Sequence, residues 1–125
     1  GRRPACEVVA VSTDVPALID ACAEADLVVN ATSVGMRHGP AEGLSPLPPG
    51  AVTAGSAVYD MVYTPALTPL LLQATDAGAH AVGGLSMLVF QGAASFEMWT
   101  GVEAPVDVMF RAAEEAMAEQ GRSSG

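Results

Sequence analysis

The chain contains no lysine, and its only basic side chains apart from two histidines are Arg2, Arg3, Arg37, Arg111 and Arg122. Fourteen Asp and Glu bring the formal charge to −9. Neutralising a row of phosphates takes clustered Lys and Arg, so nucleic acid and anionic membrane surfaces are poor partners for this chain. The acidic residues are spread along helix faces and read as solvated surface. Aromatic residues make up only 5% of the chain, so a core must be assembled from Ala, Val, Leu and Met. The two cysteines, Cys6 and Cys22, fit no metal-ligand spacing, and His38 and His80 stand in no nucleophilic or metal pattern. Cys22 falls on the apolar side of an expected helix and reads as a small buried hydrophobe. No secretory leader is evident, and no apolar run reaches the roughly 20 residues of a membrane helix. The chain is expected to be soluble and cytoplasmic.

What is present in quantity is apolar: half of the 125 residues. Their spacing predicts a parallel α/β domain. Glu7 to Val11 is a β-branched run expected to form a strand. Thr13 or Asp14 can cap a helix with Pro16 in its first turn and Val15, Leu18, Ile19 and Cys22 on one face. Leu27 to Asn30 is the next strand, Arg37 to Gly50 a Gly- and Pro-rich loop, and Ala57 to Met61 a third strand. Thr68 and Pro69 carry the cap and first-turn signature of a helix through Leu70, Leu71 and Ala74, with Gly78 as its stop. His80 to Val82 is a brief fourth strand. An apolar helix over Ser86 to Trp99 ends at Gly101. A last helix runs from Pro105 to about Gln120, with Val106, Met109, Phe110, Ala113 and Met117 inward and Glu114, Glu115 and Glu119 outward. Residues 121–125 read as a disordered tail, and residues 1–120 as one domain.

Three segments concentrate polar and glycine residues where strands end, which is where a parallel sheet presents its ligand-binding edge. They are Asn30-Ala31-Thr32-Ser33-Val34-Gly35-Met36, Tyr59-Asp60-Met61-Val62-Tyr63-Thr64-Pro65, and Gly83-Gly84-Leu85-Ser86-Met87-Leu88-Val89-Phe90-Gln91. Met87 and Gln91 lie four apart on one helix face, continued by Ser95 and Met98. An amide on that stripe either bonds a neighbouring loop or meets a ligand. Tyr63 can be a rim residue or can point its phenol into the crevice. Adjacent Gly83 and Gly84 permit close approach of another chain segment or of a flat ring. Thr32 and Ser33 can satisfy their own turn or offer hydroxyls to a ribose or phosphate.

Together these segments resemble the C-terminal, NADP-binding region of the shikimate dehydrogenase family, over about Ala25 to Glu115. The resemblance implies a Rossmann-type parallel sheet with flanking helices, N-terminally incomplete. It also implies the family activity, NADP-dependent reversible reduction of 3-dehydroshikimate to shikimate on the route to chorismate and the aromatic amino acids. Tyr63 and Gln91 match the family's substrate-contacting residues. Asn30, Thr32, Ser33, Met61, Gly84 and Met87 match residues that lie along the dinucleotide. Ser86 and Gly83 depart from the family pattern, which often has Gly and Asp there. Gly1-Arg2-Arg3-Pro4 is either the remnant of a 2′-phosphate-binding turn or a solvated end. The family's catalytic Lys-Asp pair sits in an N-terminal domain, and this lysine-free chain has no counterpart. No catalytic residue and no metal are therefore assigned, and the chain by itself is expected to be inactive. Unmatched Leu and Met faces, and a sheet edge left open by a missing strand, make it marginal or oligomeric, with a homodimer as one outcome. A quinate- or NAD-preferring relative and a non-catalytic nucleotide-binding α/β module remain as alternatives.

Overall fold

A computed structural model describes residues 5–123. The element order is α1 (Val15–Glu24), β1 (Leu27–Asn30), β2 (Ala57–Asp60), α2 (Pro69–Asp76), β3 (His80–Val82), α3 (Leu85–Thr100) and α4 (Val106–Ser123). The three strands form one parallel sheet in the order β1-β2-β3. Asn30 pairs with Asp60 across the first ladder, and Tyr59 with Val82 across the second. All three strands therefore run out at the same edge.

The helices start where local chemistry allows. Asp14 caps α1 by accepting the Ala17 amide at 3.0 Å, and Thr68 caps α2 by accepting from Leu71 at 3.2 Å. Each cap satisfies one of the amides that a first turn leaves without a partner. Gly78 follows α2 with φ +77°, the left-handed stop a glycine adopts without strain. α2 packs on β2 and β3. Val52, Val58, Leu70 and Ala74 form the buried cluster there, with Val28, Leu47 and Ala81 packed around it. Gln73 of α2 holds the long loop after β1: its amide donates to the Pro48 carbonyl at 2.8 Å and accepts from the Ser45 hydroxyl at 2.7 Å. α3 and α4 pack on each other, with Phe90 edge-on to Phe110 at 5.5 Å between ring centroids.

Four expectations need correction. Residues 7–11 form no strand: the segment is exposed, Val8 to 91% of its surface. A β-branched run becomes a strand only with a ladder to join, and none of the described strands pairs with it. Val15 is more than half exposed rather than part of the inner face of α1. β2 closes at Asp60, one residue short of Met61. α4 continues through Ser123, so residues 121–123 of the expected tail are helical. The inner face of α4 is as expected, with Val106, Met109, Phe110, Ala113 and Met117 all half-buried. Arg2 and Arg3 lie outside the described residues. Among the described residues, no helix is long and apolar enough to cross a membrane. The single tryptophan, Trp99 near the end of α3, is 84% exposed.

Candidate functional site at the carboxyl ends of the strands

Parallel register brings the segments after β1 and β2 side by side, and three kinds of contact fasten them to each other and to the entry of α3. Backbone bonds come first. The Met61 amide donates to the Asn30 carbonyl at 3.1 Å, and the Arg37 amide to the Thr64 carbonyl at 2.8 Å.

The second tie is a buried polar network. Asp60, the last residue of β2, has no solvent exposure. One carboxylate oxygen accepts from the Asn30 side-chain amide at 3.0 Å and from the Val62 backbone amide at 3.0 Å. The other accepts from the Thr68 hydroxyl at 2.6 Å. Asn30 is itself buried, and its amide nitrogen also reaches the Val34 carbonyl at 3.2 Å. Its carbonyl oxygen accepts from the Thr32 hydroxyl at 2.6 Å and the Thr32 amide at 3.1 Å. No side-chain nitrogen or oxygen buried among the described residues lacks a partner, as a low-dielectric interior requires.

The third tie is steric. A Cβ on Gly84 would stand 2.4 Å from the Met61 carbonyl oxygen and 3.0 Å from that of Asp60. Gly84 therefore lets the α3 entry lie directly against the β2 exit. At Gly84 the close approach is that of another chain segment, the β2 exit.

The residues singled out from the sequence divide into three groups. Asn30, Thr32, Met61 and Gly84 are joined by the contacts above. Tyr63 follows on the same segment and is 38% exposed, while Ser33 is exposed beside Thr32. Met87 and Gln91 stand further along α3, Met87 half-buried and Gln91 exposed. The Gln91 amide donates back to the Leu88 carbonyl of its own helix at 3.1 Å.

The C-terminal half of α4 lies beside the loops that follow β1 and β2. A cavity of about 540 Å³ separates Arg37, His38 and Thr64 from Glu119 and Gln120, and the Arg37 guanidinium donates to the Gln120 carbonyl at 3.0 Å. A second, of about 300 Å³, lies between Ala66, Leu85 and Met117. Tyr63, Gln91 and Gly84 line neither.

Sequence comparison decides what this edge is similar to. Residues 84–114 match the family model described as the shikimate 5′-dehydrogenase C-terminal domain. The shikimate dehydrogenase (NADP(+)) of Moorella thermoacetica is 50% identical over 101 residues, 81% of this chain and 32% of the relative. That of Haloarcula marismortui is 50% identical over 92 residues, 74% of this chain and 33% of the relative. The chain matches the C-terminal region of shikimate dehydrogenases.

Solved shikimate dehydrogenases share the fold. The Listeria monocytogenes enzyme, in complex with shikimate and NAD, superposes with a TM-score of 0.71 at 39% identity, over 79% of this chain and 34% of that one. The Thermus thermophilus enzyme, in complex with NADP(H) and shikimate, gives 0.70 at 38% identity, over 78% and 36%. The three parallel strands and their helices are thus a Rossmann-type arrangement. The chain spans about a third of the length of the shikimate dehydrogenases it matches. Two groups that organise its site had no assigned role at the level of sequence: Asp60, and the Thr68 hydroxyl beyond its capping bond. The available signal was an acidic residue closing an apolar strand with a helix-capping threonine eight positions on.

Proposed function

We propose that the chain forms the cofactor-facing and part of the substrate-facing surface of an NADP-dependent shikimate dehydrogenase, which interconverts 3-dehydroshikimate and shikimate. The observation that carries this reading is the joining of the Asn30–Met36, Asp60–Thr64 and Gly83–Gly84 segments at one sheet edge, in a chain half identical to shikimate dehydrogenases over 101 residues. In this reading Tyr63 and Gln91 contact the substrate. Thr32 and Ser33 present polar groups to the dinucleotide, and the Met61 and Met87 thioethers pack against the nicotinamide, a favourable use of sulfur on a ring. Asn30 and Gly84 act by shaping: the polar groups of one are turned inward, and the other brings the Met61 carbonyl against the α3 entry. When bound, the cofactor supplies the hydride; the chain's own residues orient it and the substrate. Proton transfer belongs to groups outside this lysine-free sequence, so the chain alone turns nothing over. Its two thiols, neither in a disulfide, suit a reducing, cytoplasmic setting.

Completion is the test. The chain is grafted in place of the corresponding segment of the Moorella thermoacetica enzyme, and shikimate-dependent reduction of NADP is followed at the nicotinamide band. Turnover by the chimera and none by the chain supports the reading; a chimera that folds by circular dichroism yet stays inactive refutes it. Running the same assay with NAD and with quinate addresses the neighbouring specificity.

A further inference from the structure

Asp60 is a fully buried carboxylate whose three partners, Asn30, Val62 and Thr68, come from three different parts of the chain. Direction matters in this network. The Thr68 oxygen accepts from the Leu71 amide, so its proton is available to Asp60. Asp60 then acts only as an acceptor. An asparagine side chain is nearly symmetric in shape, and its neighbours decide which end is oxygen. By taking the Asn30 NH₂ together with the Val34 carbonyl, Asp60 helps oblige the Asn30 oxygen to face Thr32, whose backbone amide and hydroxyl both donate to it. That oxygen receives the Thr32 hydroxyl proton, while the Val34 amide donates to the Thr32 oxygen at 3.1 Å. The Thr32 proton is thereby turned inward, and one lone pair on its oxygen is left for a ligand hydroxyl. Val62, whose amide donates to Asp60, immediately precedes Tyr63.

We infer that Asp60 is a positioning residue for the dinucleotide edge: its acceptor-only carboxylate orients the Asn30 amide, and through it the Thr32 turn, while anchoring the segment that carries Tyr63. This rests on the cofactor reading above and deepens it, because it names the buried side chain that, with the Val34 carbonyl and the Thr32 amide, sets the polarity of that edge.

The experiment compares the chain with Asp60→Asn, Thr68→Val, Thr68→Ser and, as a control of matched instability, Val58→Ala in the same strand, a core residue with no side-chain polar group. Backbone amide resonances are recorded, and NADPH is titrated by fluorescence. Asp60→Asn puts an NH₂ either against the Asn30 and Val62 donors or against the Thr68 hydroxyl, which must then turn its proton away. Thr68→Val removes one donor together with the cap of α2. Both should move the resonances of Thr32, Val34 and Val62 and weaken NADPH binding by about tenfold or more. Thr68→Ser should restore both, and Val58→Ala should lower the melting temperature while leaving both unchanged. Equal loss of NADPH affinity in Val58→Ala, or unmoved Thr32 and Val34 resonances in Thr68→Val, overturns the inference. Should Asp60→Asn fail to fold, the Thr68 pair carries the comparison. Absence of NADPH binding by the parent chain counts against the cofactor reading, and the resonances still decide the role of Asp60.

Discussion

Replacing Gly84 by alanine adds one methyl group at a place where the chain has no room for it. The glycine has φ −81° and ψ −7°, a conformation open to alanine, so backbone strain plays no part and the effect is steric alone. The new carbon would stand 2.4 Å from the Met61 oxygen, 2.7 Å from the Met61 carbonyl carbon and 3.0 Å from the Asp60 oxygen. These are backbone atoms held by the β2 register and the Asp60 network, so no side-chain rotation relieves the overlap. Overpacking typically costs 1–3 kcal/mol, and a rigid obstacle puts this case at the upper end, on the order of 3 kcal/mol. For a domain of this size each kcal/mol moves the melting temperature by roughly 3–5 °C, so Gly84→Ala should lower it by roughly 10–15 °C. Gly83→Ala is the internal control. There the new carbon meets Leu71 Cδ1 at 3.5 Å and the Ala66 oxygen at 3.7 Å, ordinary contacts, and stability should stay within about 1 kcal/mol of the parent. Thermal unfolding followed by circular dichroism measures both. A Gly84→Ala chain melting within about 2 °C of the parent would refute the steric account.

Other consequences are open to simpler measurements. Burial raises the pKa of the Cys22 thiol, whereas Cys6 is exposed; a thiol reagent at mildly alkaline pH should label one cysteine quickly and the second only on unfolding, and two equal fast phases would contradict the packing of α1. The Ser12 hydroxyl, and after it the Ala17 amide, hold the Asp14 carboxyl below its ordinary pKa. Because the folded value is the depressed one, its stabilisation of α1 is complete above the usual carboxylate range and disappears as pH falls through the folded value. Asp14→Asn should therefore flatten the acid limb of a pH–stability curve, and an unchanged limb would dismiss the cap as a contributor. In the chimera, Gln91→Ala should raise KM for shikimate while leaving KM for NADP and the melting temperature nearly unchanged, since its bond to Leu88 is exposed; a fall in stability with normal kinetics would make it a structural residue. Tyr63→Phe in the same chimera should cost about 1–3 kcal/mol in kcat/KM if the phenol bonds substrate, and nothing if it only packs.

The elements that could be read from sequence are those whose signal is local. The cap and proline at Thr68-Pro69, the glycine stops at Gly78 and Gly101, and the five-residue stripe of α4 each carry their physics within a turn or two, and each is in the fold. Residues 7–11 have the composition of a strand, but a strand exists only with a neighbour, and composition does not supply one. Residues 121–123 belong to a helix because α4 continues beyond its apolar stripe, where the pattern gives no reason to extend it. At the strand ends, order and spacing placed the Asn30, Asp60 and Gly83 segments at a common edge. The identity of what Gly84 accommodates was not legible, because it depends on where the Met61 carbonyl lies in space. Asp60 was hidden for the same reason: its partners are 30, 2 and 8 residues away, and only the sheet brings them to one carboxylate.

Because the chain has one indole and that indole is almost wholly in water, it carries its own optical reporter at the far end of α3. Its emission should be that of a hydrated tryptophan, insensitive to events at the strand ends and quenched freely by small solutes. Whatever comes to rest on the last turn of that helix should shift the light towards blue and shield it from the quencher, with no dye attached.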